Sequence, residues 1–164
     1  MRDATAADAG TIGRIVVTTW RAAYAGLIPD HVLAGLSVAE LEQQWASWLP
    51  ADPPRCCLVT GTPPVGFVGA GPAWQGPGGQ VYAIYVDPAH WGAGHGGRLL
   101  RGAVDRLRAA GFDRATLWVL TTNAPARAFY EHEGWRATGR TQVEALHGAD
   151  LPETEYELGL GLTP

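Results

Sequence analysis

The residues best suited to chemistry are four closely spaced glycines, Gly92, Gly94, Gly96 and Gly97, which open a stretch with helical periodicity. A phosphate group needs several converging N–H donors and close approach of the backbone, and glycine permits that approach. The start of a helix adds its unpaired N–H groups and the positive end of the helix dipole. The glycine segment therefore predicts a binding site for a phosphate or a pyrophosphate.

A strand and a helix are expected on either side of this glycine segment. Residues 81–86 are rich in β-branched and aromatic side chains, which is typical of a strand, and Asp87-Pro88 ends it. After the glycines, one apolar face recurs at helical spacing, and Gly111 is a natural C-terminal stop. The residues of that face are Leu99, Leu100, Ala103, Val104 and Leu107.

Gly92, Gly94 and Gly97 also match the G-x-G-x-x-G fingerprint of dinucleotide-binding proteins. In that fold the fingerprint follows its strand directly, and an acidic residue ends the next strand. Here residues 87–91 intervene, and Asp113 precedes the next strand instead of ending it. We therefore disfavour a nicotinamide-dependent oxidoreductase. A glycine turn without any ligand is also disfavoured, because it leaves the clustering of glycines at one helix start unexplained.

The other segments predict the remaining elements. Capping boxes at Thr5/Asp8 and Ser37/Glu40 begin two N-terminal helices, and Pro50 ends the second. Strands are expected at residues 56–60, 65–70, 115–120, 135–141 and 153–160, a hairpin loop at 61–64, a longer loop at 71–79 and a short helix at 123–132. This order predicts an α/β three-layer fold with a largely antiparallel sheet, and 164 residues fit one domain, 1–164.

Composition excludes several classes of protein. The net charge of −4 argues against non-specific binding of nucleic acid, which needs a basic surface. No apolar run reaches the roughly 18 residues of a membrane span, and no secretory segment opens the sequence, so a cytoplasmic protein is expected. The adjacent Cys56 and Cys57 should point to opposite faces of a strand as buried structural residues. No metal site is predicted.

Two motifs resemble the GNAT superfamily of acetyl-CoA-dependent N-acetyltransferases. The pattern Q/R-x-x-G-x-G/A falls on residues 91–96, where Trp91 replaces the usual Gln or Arg. The pattern N-x-x-A-x-x-x-Y-x-x-x-G-F falls on residues 123–135, where Trp135 replaces Phe. Residues 20–29 are similar to one large bacterial branch of the family, so the resemblance covers nearly the whole chain.

The resemblance implies a mixed, mostly antiparallel sheet whose central strands, residues 81–86 and 115–120, splay apart to admit the pantetheine arm. It implies acetyl-CoA as co-substrate, a small-molecule or peptide amine as acceptor, and direct transfer in a ternary complex. A non-catalytic acyl-CoA-binding regulatory module is the alternative, and a homodimer is compatible with the family. The implied cofactor-binding residues are Ile84, Tyr85, Val86, Trp91, Gly92, Ala93, Gly94, His95, Gly96, Gly97, Asn123, Ala126 and Tyr130.

The resemblance also implies roles for individual residues. Tyr130 is the candidate catalytic acid, because a phenol can protonate the departing thiolate. The base is unassigned: many relatives carry a glutamate where this chain has Gln80, so a neutral amine or a water relay is expected. The remaining base candidates are His90, Glu131, His132 and Glu144. Trp20, Tyr24 and Trp74 are candidates for the acceptor pocket, and Arg98 and Arg101 are candidates for phosphate contact or a solvated helix face.

Overall fold

A computed structural model describes residues 1–161 of the chain. Its sheet contains seven strands and is accompanied by five α-helices. The strands are β1 (Arg2–Asp3), β2 (Cys56–Thr60), β3 (Gly66–Pro72), β4 (Gly79–Val86), β5 (Arg114–Leu120), β6 (Arg136–Leu146) and β7 (Ala149–Gly159). The helices are α1 (Ala9–Ala23), α2 (Asp30–Ala34), α3 (Val38–Trp48), α4 (His95–Ala109) and α5 (Ala124–His132). Short 3₁₀ turns at Ala6–Asp8 and Pro88–His90 precede α1 and the glycine segment.

The sheet has the order β1-β2-β3-β4-β5-β7-β6, and every neighbouring pair is antiparallel except β4 and β5. These two strands are parallel and pair at only two positions, Gly79 with Ala115 and Gln80 with Thr116. Beyond Gln80 they no longer pair, so the middle of the sheet opens into a V. The predicted mixed sheet with splayed central strands is confirmed.

Helices cover both faces of the sheet and bury separate apolar cores. Leu99, Leu100 and Leu107 of α4 pack on one face, and Ile12 and Ile15 of α1 pack on the other. The two cysteines divide between these cores as strand alternation predicts: Cys56 belongs to the α4 core and Cys57 to the α1 core. Both are buried free thiols, and burial raises the pKa of Cys57 to about 12.

Ser37 caps its helix as predicted, and Thr5 and Asp8 form the predicted capping box. The Ser37 hydroxyl accepts from the Glu40 N–H at 3.3 Å at the start of α3. The Asp8 carboxylate accepts from the Thr5 N–H at 2.8 Å, but this box opens the 3₁₀ turn, and α1 follows directly. Gly111, with a φ of 86°, follows the end of α4 as expected.

Four features differ from the predictions. The last two strands extend well beyond residues 135–141 and 153–160 and form a long hairpin, turned by His147 and Gly148 with positive φ. Much of β6 is polar and exposed, so no apolar alternation marks it. Strand β4 begins at Gly79, which shortens the predicted loop. The short elements α2 and β1 were also missed, since five and two residues carry too little periodicity.

No helix among residues 1–161 is long and apolar enough to cross a membrane.

Candidate active site

The opening between β4 and β5 forms a cleft of about 930 Å³. It is lined by both strands, the glycine segment, the starts of α4 and α5, the end of α1, and the β6–β7 hairpin. Of the predicted cofactor-binding residues, the cleft is lined by Ile84, Tyr85, Val86, Trp91, Gly92, Gly94, His95, Gly96, Gly97, Asn123, Ala126 and Tyr130. Ala93 alone of that set does not line it. The fold thus brings two distant sequence motifs to one cavity.

The glycine segment presents its backbone to this cleft. Gly92 and Gly94 have φ values of 76° and 78°, a left-handed conformation that residues with a side chain rarely adopt. Gly94 is the N-cap residue of α4, and the first N–H paired within that helix belongs to Arg98, which donates to the Gly94 carbonyl at 3.2 Å. Within residues 1–161 no protein acceptor bonds the N–H groups of residues 92–97. This arrangement fits a bound pyrophosphate.

A hydrogen bond from Trp91 holds the glycine segment against the end of β4. The Trp91 indole Nε1 donates to the Val86 carbonyl oxygen at 2.7 Å, and the Thr19 hydroxyl of α1 donates to the same oxygen at 3.1 Å. The Val86 carbonyl is therefore already bonded by two protein donors. Trp91 remains 51% exposed, so the hydrogen bond rather than burial explains its position.

This role of Trp91 leads to a prediction about cofactor affinity. Trp91→Phe keeps an aromatic ring but removes the N–H, so the glycine segment loses its anchor on β4. A hydrogen bond of this kind contributes about 1 kcal/mol net, and we expect acetyl-CoA to bind about fivefold more weakly. Isothermal titration of acetyl-CoA into both proteins measures the change. Trp48→Phe on α3, outside the cleft, is the matched control, and equal affinity of wild type and Trp91→Phe would contradict the anchoring role.

The free edge of β4 offers backbone groups to a ligand. The Asp87 N–H donates to the Val65 carbonyl at 2.8 Å. Because hydrogen-bonded pairs alternate along antiparallel strands, the next such pair joins the backbone of Tyr85 to β3. The backbone groups of Ile84 and Val86 consequently face the gap. The peptide groups of Tyr85 are therefore bonded within the sheet, while the residue itself lines the cleft; its contact with the cofactor stays a prediction.

Asn123 lies across the gap at the start of α5. Its Oδ1 accepts from the Ala126 N–H at 3.2 Å and caps the helix. Its Nδ2 has no partner among the described residues, although the side chain is only 6% exposed and lines the cleft. The Nδ2 donor is thus open to the cleft, where a ligand or water can accept its hydrogen. Asn123 therefore combines a structural cap with a donor available to the cofactor.

Tyr130 presents a phenol to the same cavity. The residue is 8% exposed and packs against Trp135, Tyr156 and Phe129. Within residues 1–161 its hydroxyl has no hydrogen-bond partner. Burial first, and then the neighbouring Tyr85, raises the pKa of Tyr130, so that the hydroxyl stays protonated at neutral pH. The arrangement provides a proton donor held by packing and free to bond a ligand.

The aromatic residues predicted for the acceptor pocket all line the cleft. Trp20 and Tyr24, one helical turn apart on α1, pack edge to face with ring centroids 4.9 Å apart. Trp74, 72% exposed, packs at a tilt against the Tyr82 ring, with the centroids 4.9 Å apart. Gln80 sits at the apex of the V, where β4 and β5 last pair, and its Oε1 accepts from the Trp74 N–H at 3.1 Å. The Gln80 side chain therefore holds the loop that carries Trp74.

The charged candidates separate into two groups. Arg101 lines the cleft but is paired with Glu133 at 2.8 Å, whereas Arg98 is exposed outside it. Of the base candidates, the cleft-lining residues are His90, His132 and Glu144. Glu131 is not among them, and its carboxylate accepts from the Tyr156 hydroxyl at 2.7 Å.

The polar cleft residues that sequence reasoning missed include Thr19, Gln142 and Glu153. Thr19 is hidden inside the apolar periodicity of α1. Gln142 and Glu153 face each other across β6 and β7, and the Gln142 Nε2 donates to the Glu153 Oε2 at 2.7 Å. The glutamates at alternate positions 153, 155 and 157 were the available signal, since such spacing places carboxylates on one face of a strand.

Comparison with known proteins agrees with this geometry. The model of the Acetyltransferase (GNAT) family matches residues 20–135. A mycothiol acetyltransferase from Beutenbergia cavernae is 49% identical over 57 residues, which are 35% of this chain and 19% of that protein. The chain thus spans about a fifth of the length of this relative.

Solved structures share the fold. A GCN5-related N-acetyltransferase from Rhodopseudomonas palustris superposes with a TM-score of 0.77 at 23% identity, covering 96% of this chain and 93% of that one. The PaiA N-acetyltransferase from Thermoplasma acidophilum, solved in complex with coenzyme A, superposes with a TM-score of 0.71 at 18% identity, covering 96% of each chain.

Proposed function

This chain belongs to the acetyltransferase (GNAT) family, and we propose that it is an N-acetyltransferase that moves the acetyl group of acetyl-CoA directly onto a primary amine in a ternary complex. The observation that carries the proposal is the V-shaped gap between β4 and β5, with the glycine segment at its rim and the Tyr130 hydroxyl inside it. Both substrates reach one cavity, so no covalent enzyme intermediate is needed.

The residues present fit acetyl-CoA as the donor. The unpaired N–H groups of residues 92–97 suit its pyrophosphate. The backbone groups of Ile84 and the N–H of Val86, on the free edge of β4, suit the amides of the pantetheine arm, which would add to the sheet as an extra strand. Asn123 offers its Nδ2 from the opposite wall, beside Ala126. The coenzyme A in the Thermoplasma relative supports this assignment of the ligand.

Tyr130 supplies the acid in this proposal. When the amine attacks the thioester carbon, the C–S bond breaks and the electron pair stays on sulfur. The Tyr130 hydroxyl donates its proton to that sulfur, or bonds it as charge develops. Its raised pKa keeps the proton in place until it is needed.

The acceptor would enter from the α1 face, beside Trp20 and Tyr24. A primary amine carried by a small molecule or a peptide fits an open, partly aromatic cleft. The name of the Beutenbergia relative adds the acceptor that mycothiol acetyltransferases acetylate to the candidates. A non-catalytic acyl-CoA-binding module is less favoured, because it needs neither an acceptor opening nor the unpaired hydroxyl of Tyr130.

Release of free CoA across a panel of amines tests the proposal. The panel contains polyamines, amino acids, aminoglycosides, lysine peptides, peptide N-termini and the acceptor of mycothiol acetyltransferases. We expect sustained, amine-dependent turnover with at least one class, and mass spectrometry should find the acetylated amine. Binding of acetyl-CoA without turnover across the panel would instead favour the regulatory module.

A further inference from the structure

Two glutamates line the acceptor side of the cleft. Glu153 of β7 pairs with Leu120 at the end of β5, which places it beside the opening of the V. It shares a strand face with Leu151, whose side chain belongs to the apolar cluster that also contacts Trp20 and Tyr24. Glu144 of β6 follows Gln142 by two residues and therefore lies on the same face of the hairpin.

The carboxyl group of Glu153 is held by Gln142 and lies in contact with the carboxyl group of Glu144. The Glu153 Oε2 accepts from the Gln142 Nε2 at 2.7 Å. Within residues 1–161 the Glu153 carboxyl forms no ion pair with Arg or His, and the Glu144 carboxyl lies within hydrogen-bonding reach of it. A carboxyl group in the cleft is therefore oriented by an amide and lies against a second carboxyl, so the pair can accept and hold a proton.

We propose that Glu153 is the catalytic base, which takes the proton from a cationic primary ammonium acceptor, and that Glu144 and Gln142 position and tune it. The inference rests on the proposed acetyl transfer. It assigns the base that the sequence leaves open, on a strand far from position 80. It also narrows the acceptor to the alkylammonium class, because a site with two carboxylates attracts a cation and repels an anionic substrate.

The surroundings of Glu153 suit this role. Burial first raises the pKa of its carboxyl, the Gln142 hydrogen bond lowers it, and Glu144 raises it again, both by like charge and by a hydrogen bond between the two carboxyl groups. The other titratable groups facing it are the neutral phenols Tyr24 from α1 and Tyr85 from β4. A carboxylate with a raised pKa is a stronger base than an ordinary one while it remains ionised near neutral pH.

Glu153, Tyr130 and water account for every proton that moves in the reaction. Glu153 removes one proton from R–NH₃⁺, and the freed lone pair forms the C–N bond as the C–S bond breaks. The departing sulfur takes a proton from Tyr130, and the second ammonium proton returns to Tyr130 through water. Glu153 releases its proton to solvent. The sum is ammonium plus acetyl-CoA giving amide, CoA thiol and one proton.

The pH dependence of kcat/KM for the best amine of the panel, chosen with an ammonium pKa near 10, tests the inference. In the wild type, kcat/KM should rise with ionisation of Glu153 and level off well below the pKa of the amine. Glu153→Gln keeps the size of the side chain and removes the base. We expect kcat/KM at pH 7 to fall on the order of a hundredfold and to rise up to the pKa of the amine itself.

Glu144→Gln separates tuning from catalysis. Because Glu144 raises the pKa of Glu153, its removal should move the acid limb of the profile to lower pH and keep the plateau. Glu157→Gln, exposed on the same strand outside the cleft, is the matched control and should keep the wild-type profile. The rise in melting temperature that acetyl-CoA induces checks folding of each variant.

The outcomes that overturn the inference are distinct from those that overturn acetyl transfer. A wild type that releases no CoA with any amine defeats the proposed function. A wild type that turns over, together with a Glu153→Gln enzyme of unchanged profile, defeats only the assignment of the base. If Glu144→Gln loses the plateau of kcat/KM and Glu153→Gln keeps it, the catalytic base is Glu144. If Glu153→Gln does not fold, the acid limb of the pH profile of Glu144→Gln decides. A shift of that limb to lower pH supports Glu153 as the base, and an unmoved limb overturns the assignment.

Discussion

Tyr130→Phe is expected to lower kcat on the order of a hundredfold while the KM for acetyl-CoA stays nearly constant. General acid catalysis contributes 10²–10⁴-fold, and a hundredfold corresponds to about 3 kcal/mol of barrier. The lower end applies here, because a thiol has a pKa near 8.5 and its thiolate can depart unassisted. An effect on kcat without an effect on KM is the pattern of a contact made mainly in the transition state.

The packing of Tyr130 makes this variant conservative. Its ring contacts Phe129, Trp135 and Tyr156, and phenylalanine keeps those contacts. The lost hydroxyl has no partner among residues 1–161, so the free energy of unfolding should change little. Steady-state kinetics at saturating amine measure both constants.

Tyr156→Phe is the matched control for Tyr130→Phe. Its hydroxyl donates to Glu131 at 2.7 Å and accepts from the Arg127 Nε at 3.0 Å, outside the cleft. This control should lower the melting temperature and leave kcat within a few fold. A Tyr130→Phe enzyme with near-normal kcat would remove its role as the acid. A raised KM with unchanged kcat would make Tyr130 a cofactor contact instead.

Gly96→Val is expected to abolish the rise in melting temperature that acetyl-CoA induces. A Cβ at Gly96 would lie 3.4 Å from the Phe129 Cζ, inside the narrow space between α4 and α5 that both residues line. The two γ-methyl groups of valine would then occupy the room where the backbone must approach a pyrophosphate. At a concentration one hundred times Kd, the wild type should gain about 2.7 kcal/mol, roughly 5–10 °C for a chain of this size.

The control for the glycine variant tests valine in the same helix. Asp105→Val places a β-branched residue at an exposed position of α4 away from the cleft, and it should keep the full ligand-induced shift. Thermal unfolding with and without acetyl-CoA gives both values. A Gly96→Val protein that binds acetyl-CoA as tightly as the wild type would show that the pyrophosphate lies elsewhere.

Local patterns in the sequence determined much of this molecule. Glycine spacing and the apolar face of α4 predicted a strand, a turn and a helix that together suit an anion. Each of these three elements depends on neighbours within a few residues. The opposite placement of Cys56 and Cys57 likewise follows from strand alternation alone. The family motifs added the splayed strands, because the two motifs mark elements on either side of one gap.

Only the tertiary structure decided which side chains meet within the cleft. Glu153 reaches the acceptor side because β7 pairs between β5 and β6, a contact between segments more than thirty residues apart that no local period encodes. The bond from Thr19 to the Val86 carbonyl depends in the same way on how α1 packs on β4. Short-range periodicity specifies each element and its buried face. The chemistry of the cleft arises where separate elements pack, and long-range pairing determines that arrangement.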